Sequence, residues 1–324
     1  MIINVLESEL IVGQCDNQMQ LINLPYTEGL NFNLQLPNGT QLVSGMRSDL
    51  SAKCKLTRII ELLSKLPITD ASAWAPYQHN PVFWLLPNLA PEMLTQWVNA
   101  LHQAFPHCFE HPNGRIFPMG SASLPIAFEA AKTMGSRVDS IVFIAVDSLY
   151  FDMPELYRTG QLINADIDEG IRPSEAAIMT KVQVSTAEKT SLGLHVTDVF
   201  QDAATQVQLT QSIKRLFTQL TEQDESSLLK QLYFPGDNQT TQDSWLNAYE
   251  QLAGKIDQDT QITQTNYYTG NIGAAAGLYN LLHVFNRYKE QALSGVSVQL
   301  EVSEERYLGL LRYEWLGCSG EANG

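Results

Sequence analysis

Two small-residue turns carry the residue types best suited to chemistry. The first, Gly120-Ser121-Ala122-Ser123, stands at the head of a predicted helix from Leu124 to Met134. A tight turn there lets the backbone approach a ligand closely, and a helix N-terminus favours developing negative charge. Ser121 or Ser123 could act as the nucleophile of an acyl-thioester hydrolase or acyltransferase, provided a base lies within hydrogen-bond reach. His195 and His283 are the only histidines in the second half of the chain. His283 falls inside a predicted helix as a packed or partly solvated residue, and the GxSxG elbow of the serine hydrolases is absent. The second turn, Gly270-Asn271-Ile272-Gly273-Ala274-Ala275-Ala276-Gly277, also enters a helix, Leu278 to Tyr288.

Other chemically able groups are scattered. Arg47, Lys53, Lys55 and Arg58 make residues 46–66 the most basic stretch of an acidic chain. They read as the solvated face of a helix or as a docking patch for an acidic partner. His102, His107 and His111 flank Cys108, but their spacing does not put three imidazoles on one helical face, and Pro106 and Pro112 break the segment. No metal site is expected from them, and no cofactor is expected. Cys15, Cys54, Cys108 and Cys318 show no CxxC spacing, the pattern of structural thiols in a reducing cytoplasm. A net charge of −15 argues against nucleic acid or anionic membranes as partners. The apolar runs are too short to span a bilayer, and the N-terminus lacks the basic region of a signal peptide.

The elements that must position these turns are legible from periodicity. Leu124, Ala127, Phe128 and Ala131 fall at i, i+3, i+4 and i+7, one buried helical face. Ile141–Val146 is a continuous apolar run, read as a strand covered on both faces. Ile2–Leu6 and Leu10–Val12 read as two strands, and Pro37-Asn38-Gly39 as the turn between Phe32–Leu36 and Gln41–Val43. Val82–Leu86 is a buried strand, and Pro91 opens a helix. Further on, Trp245–Leu252 reads as a helix capped by Asp243. Val296–Val302 alternates like a half-exposed strand, with Tyr307–Trp315 as its hairpin partner. Strands alternating with helices imply an α/β fold with a largely parallel sheet.

Three landmarks in order resemble the β-ketoacyl synthases of the thiolase-like superfamily. Met119-Gly120-Ser121-Ala122-Ser123-Leu124 resembles that family's A-C-S-S-S-L nucleophile turn, followed here too by a helix and an apolar strand ending at Asp147-Ser148. Pro173-Ser174-Glu175-Ala176-Ala177 is similar to its P-G-E-G-A-A segment, and residues 270–277 to its G-H-x-x-G-A-A-G loop. The likeness covers residues 116–288. It implies a thiolase-like fold of two similar α/β halves in a layered αβαβα arrangement, residues 1–187 and 188–316, with 317–324 as a tail.

The departures fall on the chemistry. The nucleophilic cysteine aligns with Gly120, the first catalytic histidine with Pro235, the second with Asn271, and the lysine five residues before it with Asn266. The G-F-G-G-T-N loop has no counterpart between Leu293 and Val302. Claisen condensation needs a thiolate to hold the acyl chain and donors for the enolate and oxyanion, and losing one such donor costs about 10²–10³ in rate. Asn271 retains an amide that could serve as one donor. The resemblance therefore implies a catalytically degenerate protein of a fatty-acid or polyketide-type pathway. It would be a cytoplasmic homo- or heterodimer, like a chain-length factor, beside a ketosynthase or an acyl carrier protein. Under that reading Arg47, Lys53, Lys55 and Arg58 would dock the carrier protein. Residual 3-oxoacyl synthase activity and the Ser121 enzyme are the alternatives.

Overall fold

The computed structural model describes residues 1–16, 32–35, 39, 41–163, 170–185, 193–223, 227–236, 238–303 and 307–316. Ten strands form one sheet. In chain order they are β1 (Ile2–Val12), β4 (Val82–Leu85), β5 (Arg115–Phe117), β6 (Ser140–Ser148), β7 (Glu175–Ser185), β8 (Gly193–Ala203), β9 (Leu229–Tyr233), β10 (Gln261–Thr263), β11 (Val296–Ser303) and β12 (Tyr307–Leu316). The remaining pair, β2 (Phe32–Gln35) and β3 (Gln41–Ser44), is a separate antiparallel hairpin. The six longer helices are α1 (Lys55–Leu63), α2 (Pro91–Ala104), α3 (Ser123–Met134), α4 (Leu209–Gln223), α5 (Gln239–Ala248) and α6 (Ala275–Lys289).

The order across the sheet is β10-β9-β11-β12-β8-β1-β7-β6-β4-β5. Read outward from the β1–β8 junction, each side runs first, fifth, fourth, second, third strand of its own set. The directions repeat as well. β4 lies parallel to β5 and β6, as β9 does to β10 and β11, while β6–β7 and β11–β12 are antiparallel. The expected largely parallel sheet is thus corrected to a mixed one. Its parallel pairs lie toward the ends, while β7, β1, β8 and β12 pair antiparallel through the middle. The proposed boundary near residue 187 and the tail 317–324 lie outside the described residues.

Strand alternation explains the layers. On β6, Ile141, Phe143 and Ala145 face a central core shared with α3 and α6, while Val142, Ile144 and Val146 face α1 and α2. Phe83 and Leu85 join the first core, and Val82 and Trp84 the second. On the other side α4 and α5 cover Leu232, Val298, Leu300 and Leu310. Two sheet halves therefore enclose α3 and α6, with a helix pair outside each. Burying each large apolar side chain in these cores contributes about 1.5–3 kcal/mol.

Three local readings change. The two N-terminal strands are one, β1, with a register shift between Val5 and Glu7. Helix α5 begins at Gln239, six residues before the predicted start, because the Asn238 side chain rather than Asp243 accepts the Thr241 amide. Residues 249–252 continue it as a tighter turn. Strand β11 is buried almost throughout, not half-exposed. Its apolar residues face α4 and α5, and Ser297, Gln299, Glu301 and Ser303 point to the interior layer instead of solvent.

Candidate functional site

The turn predicted from sequence is held at the C-terminal end of β5. Gly120 donates its amide to the Leu86 carbonyl at 3.1 Å. The Ser123 hydroxyl donates to the Phe117 carbonyl at 2.7 Å and accepts the Met119 amide at 3.1 Å, so this serine builds the turn. Gly120 has φ +59°, a left-handed conformation that costs an L-residue about 1–2 kcal/mol. A Cβ placed there would also overlap Ser303 Oγ at the end of β11.

Below the turn lies a cavity of about 400 Å³. Gly120, Ser121, Pro235, Asn266 and Asn271 all line it, so five positions scattered over the sequence converge on one space. No cysteine and no histidine lines it among the described residues. The Ser121 hydroxyl is turned to the Val302 carbonyl at 2.9 Å. Neither His195 nor His283 reaches the cavity wall, so no imidazole stands ready as a base for Ser121. Asn271 uses its Oδ1 to accept the Gly273 amide at 2.8 Å, fixing the loop that leads into α6.

Polar groups complete the walls; of these the sequence pointed to Lys55 alone, and for docking, not to Asp147, Asp152 or Glu301. Asp147, at the end of β6, accepts the Ala274 amide at 3.0 Å and so occupies the N-terminus of α6. Gly273, at φ +53°, makes room for that carboxylate, since a Cβ there would overlap it. Lys55 Nζ lies 3.2 Å from Asp147 and 2.7 Å from Asp152. Burial alone would lower the Lys55 pKa, but the two carboxylates outweigh it and raise it above the ordinary lysine value. Glu301 Oε1 accepts from Asn280 at 2.9 Å and Gln299 at 2.8 Å, and Thr265 donates to Asn280 at 2.6 Å. Glu301 and Ser303 were hidden because polar residues alternating along a strand look like a solvent face. Here they face the interior layer.

The basic segment does not form a surface patch, which corrects the docking expectation for Arg47 and Arg58, both buried. Arg58 is 1% exposed and forms an ion pair with Glu175 at 2.7 Å, its guanidinium stacked on the Tyr150 ring. Arg47 is 8% exposed and held by Asp16 and Asp49. Lys55 belongs to the cavity, and of the four only Lys53 is exposed. The reason is local: α1 turns Lys55 toward Asp147 at the end of β6 and Arg58 toward Glu175 at the start of β7.

His283 lies in the central core, 2% exposed, with Nδ1 2.6 Å from the Tyr233 hydroxyl. Burial, reinforced by the Arg287 charge, pulls its imidazole down to about 4. The folded state thus holds it neutral while the unfolded chain takes up a proton near pH 6.5. Its contribution is whole above pH 6.5 and declines until about pH 4, by about 3 kcal/mol at about 1.4 kcal/mol per pH unit. Urea titrations at pH 7 and pH 4.5 check this, and His283→Gln should flatten part of the difference. An unchanged pH dependence in that variant would refute it.

The geometry matches one known architecture. The chain aligns with the ishigamide ketosynthase/chain length factor at a TM-score of 0.66 and 10% identity, covering 98% of this chain and 100% of the other. For the ketosynthase from module 6 of the bacillaene synthase of Bacillus subtilis 168, the values are 0.67 and 11%, over 98% and 72%. For the ketosynthase in complex with its chain length factor from Xenorhabdus doucetiae they are 0.61 and 10%, over 97% and 98%. No protein-family model and no curated protein matches the sequence. The chain has the thiolase-like fold of these ketosynthase and chain length factor structures. No helix among the described residues is long and apolar enough to cross a membrane.

Proposed function

We propose that this chain is a ketosynthase-like scaffold that has given up condensation and serves a polyketide- or fatty-acid-type pathway as a non-catalytic subunit. The observation that carries this reading is Gly120: the position aligned with the nucleophile has no side chain, and Ser303 fills the space one would need. Pro235, Asn266 and Asn271 around the same cavity supply neither an imidazole nor an ammonium group. Without a thiolate the covalent route is closed, and a single amide does not replace two imidazole donors.

Similarity to structures containing ketosynthases and chain length factors supports a partner role, with a synthase or an acyl carrier protein as the partner. A homo- or heterodimer in the cytoplasm follows from the same reading. With Arg47 and Arg58 buried, carrier-protein docking through the basic segment rests on Lys53 at the surface. The test is affinity purification of the tagged full chain from its native cells. A ketosynthase or carrier protein should be retained and identified by mass. A chain that elutes alone would sink the partner role.

A further inference from the structure

The cavity below Gly120 is richer in hydrogen-bond donors than in charge able to hold an anion. Asn266 lines it, and its side-chain amide makes no hydrogen bond to the described residues. Among the described residues Asn271 spends only Oδ1, on Gly273, which leaves both Nδ2 hydrogens. The Ser303 hydroxyl is buried in a residue 3% exposed and has no partner among the described residues. An unpaired buried hydroxyl is destabilising, and a ligand oxygen within reach offsets that cost.

Charge selects against anions. Lys55 is the one cationic side chain among the described lining residues, and Asp147 and Asp152 already hold it. The Glu301 carboxylate borders the same space. An incoming carboxylate would meet like charge and no available ammonium group, whereas a neutral oxygen acceptor would meet amide and hydroxyl donors. A volume of about 400 Å³ lies within the range of small-molecule pockets.

We propose that this cavity binds a small uncharged molecule bearing carbonyl or hydroxyl oxygens, held by the Asn266 and Asn271 amides and the Ser303 hydroxyl. The inference depends on those donors and not on whether the chain pairs with a synthase.

Saturation-transfer NMR on the full chain tests it with three probes: N-acetylglycinamide, its carboxylate counterpart N-acetylglycine, and erythritol. At least one neutral probe should bind in the millimolar range, and which one binds separates an amide-type from a polyol-type ligand. N-acetylglycine should bind at least about tenfold more weakly. The double variant Asn266→Asp/Asn271→Asp keeps an acceptor for the Gly273 amide but removes both amide donors, and should lose about tenfold in affinity for the neutral probe. If that variant fails to fold, Ser303→Ala should give a severalfold loss instead. Equal binding of the carboxylate, undiminished binding by the folded variants, or no binding of either neutral probe would overturn the proposal.

Discussion

Glu175→Ala is expected to destabilise the fold by about 3–5 kcal/mol in equilibrium urea unfolding. Glu175 is 0% exposed at the start of β7, and its carboxylate accepts four hydrogen bonds. Arg58 donates through Nε at 2.7 Å and Nη2 at 2.8 Å, the Arg47 amide at 2.7 Å, and the Ser148 hydroxyl at 2.7 Å. Removing it strands the Arg58 guanidinium in the interior without its counter-charge, the most costly way to break a buried pair. Single domains have about 5–15 kcal/mol in total, so the loss is a large share. Glu175→Gln keeps the shape and part of the bonding and should lose less. Wild-type stability in Glu175→Ala would show that this pair does not tie β7 to α1.

Gly120→Cys is expected neither to restore catalysis nor to be tolerated. The left-handed backbone penalises any Cβ by about 1–2 kcal/mol, and overlap with Ser303 adds about 1–3 kcal/mol of overpacking. Ser303→Gly in the same chain should recover the overpacking part and leave the backbone part. The double variant should then expose a thiol that iodoacetamide alkylates, yet remain inactive in condensation, because no histidine lines the cavity among the described residues. Gly120→Cys as stable as wild type would show that Ser303 yields easily.

Much of this arrangement could be read from the residues. The buried strand β6, the turn at Gly120 and the loop at 270–277 follow from apolar runs and small residues. It was the resemblance to the β-ketoacyl synthases, not the apolar runs, that put Gly120, Pro235, Asn266 and Asn271 at one site, and all four line one cavity. What sequence could not reveal was direction. Basic residues 47–58 read as surface because charge is normally solvated, yet Arg58 and Arg47 are drawn inward by carboxylates more than a hundred residues away in sequence or on a neighbouring loop. In β11 the alternation was right, but both faces are interior, a fact set by α3 and α6 packing between the sheet halves. The antiparallel middle of the sheet was missed because pairing sense depends on long-range topology and not on strand composition.

The central claim is that a condensing-enzyme scaffold persists here without a group able to carry an acyl chain. Intact-protein mass spectrometry of the full chain after incubation with octanoyl-CoA at neutral pH addresses it most directly. The mass should be unchanged. An octanoyl adduct, above all on the peptide containing Ser121, would contradict it.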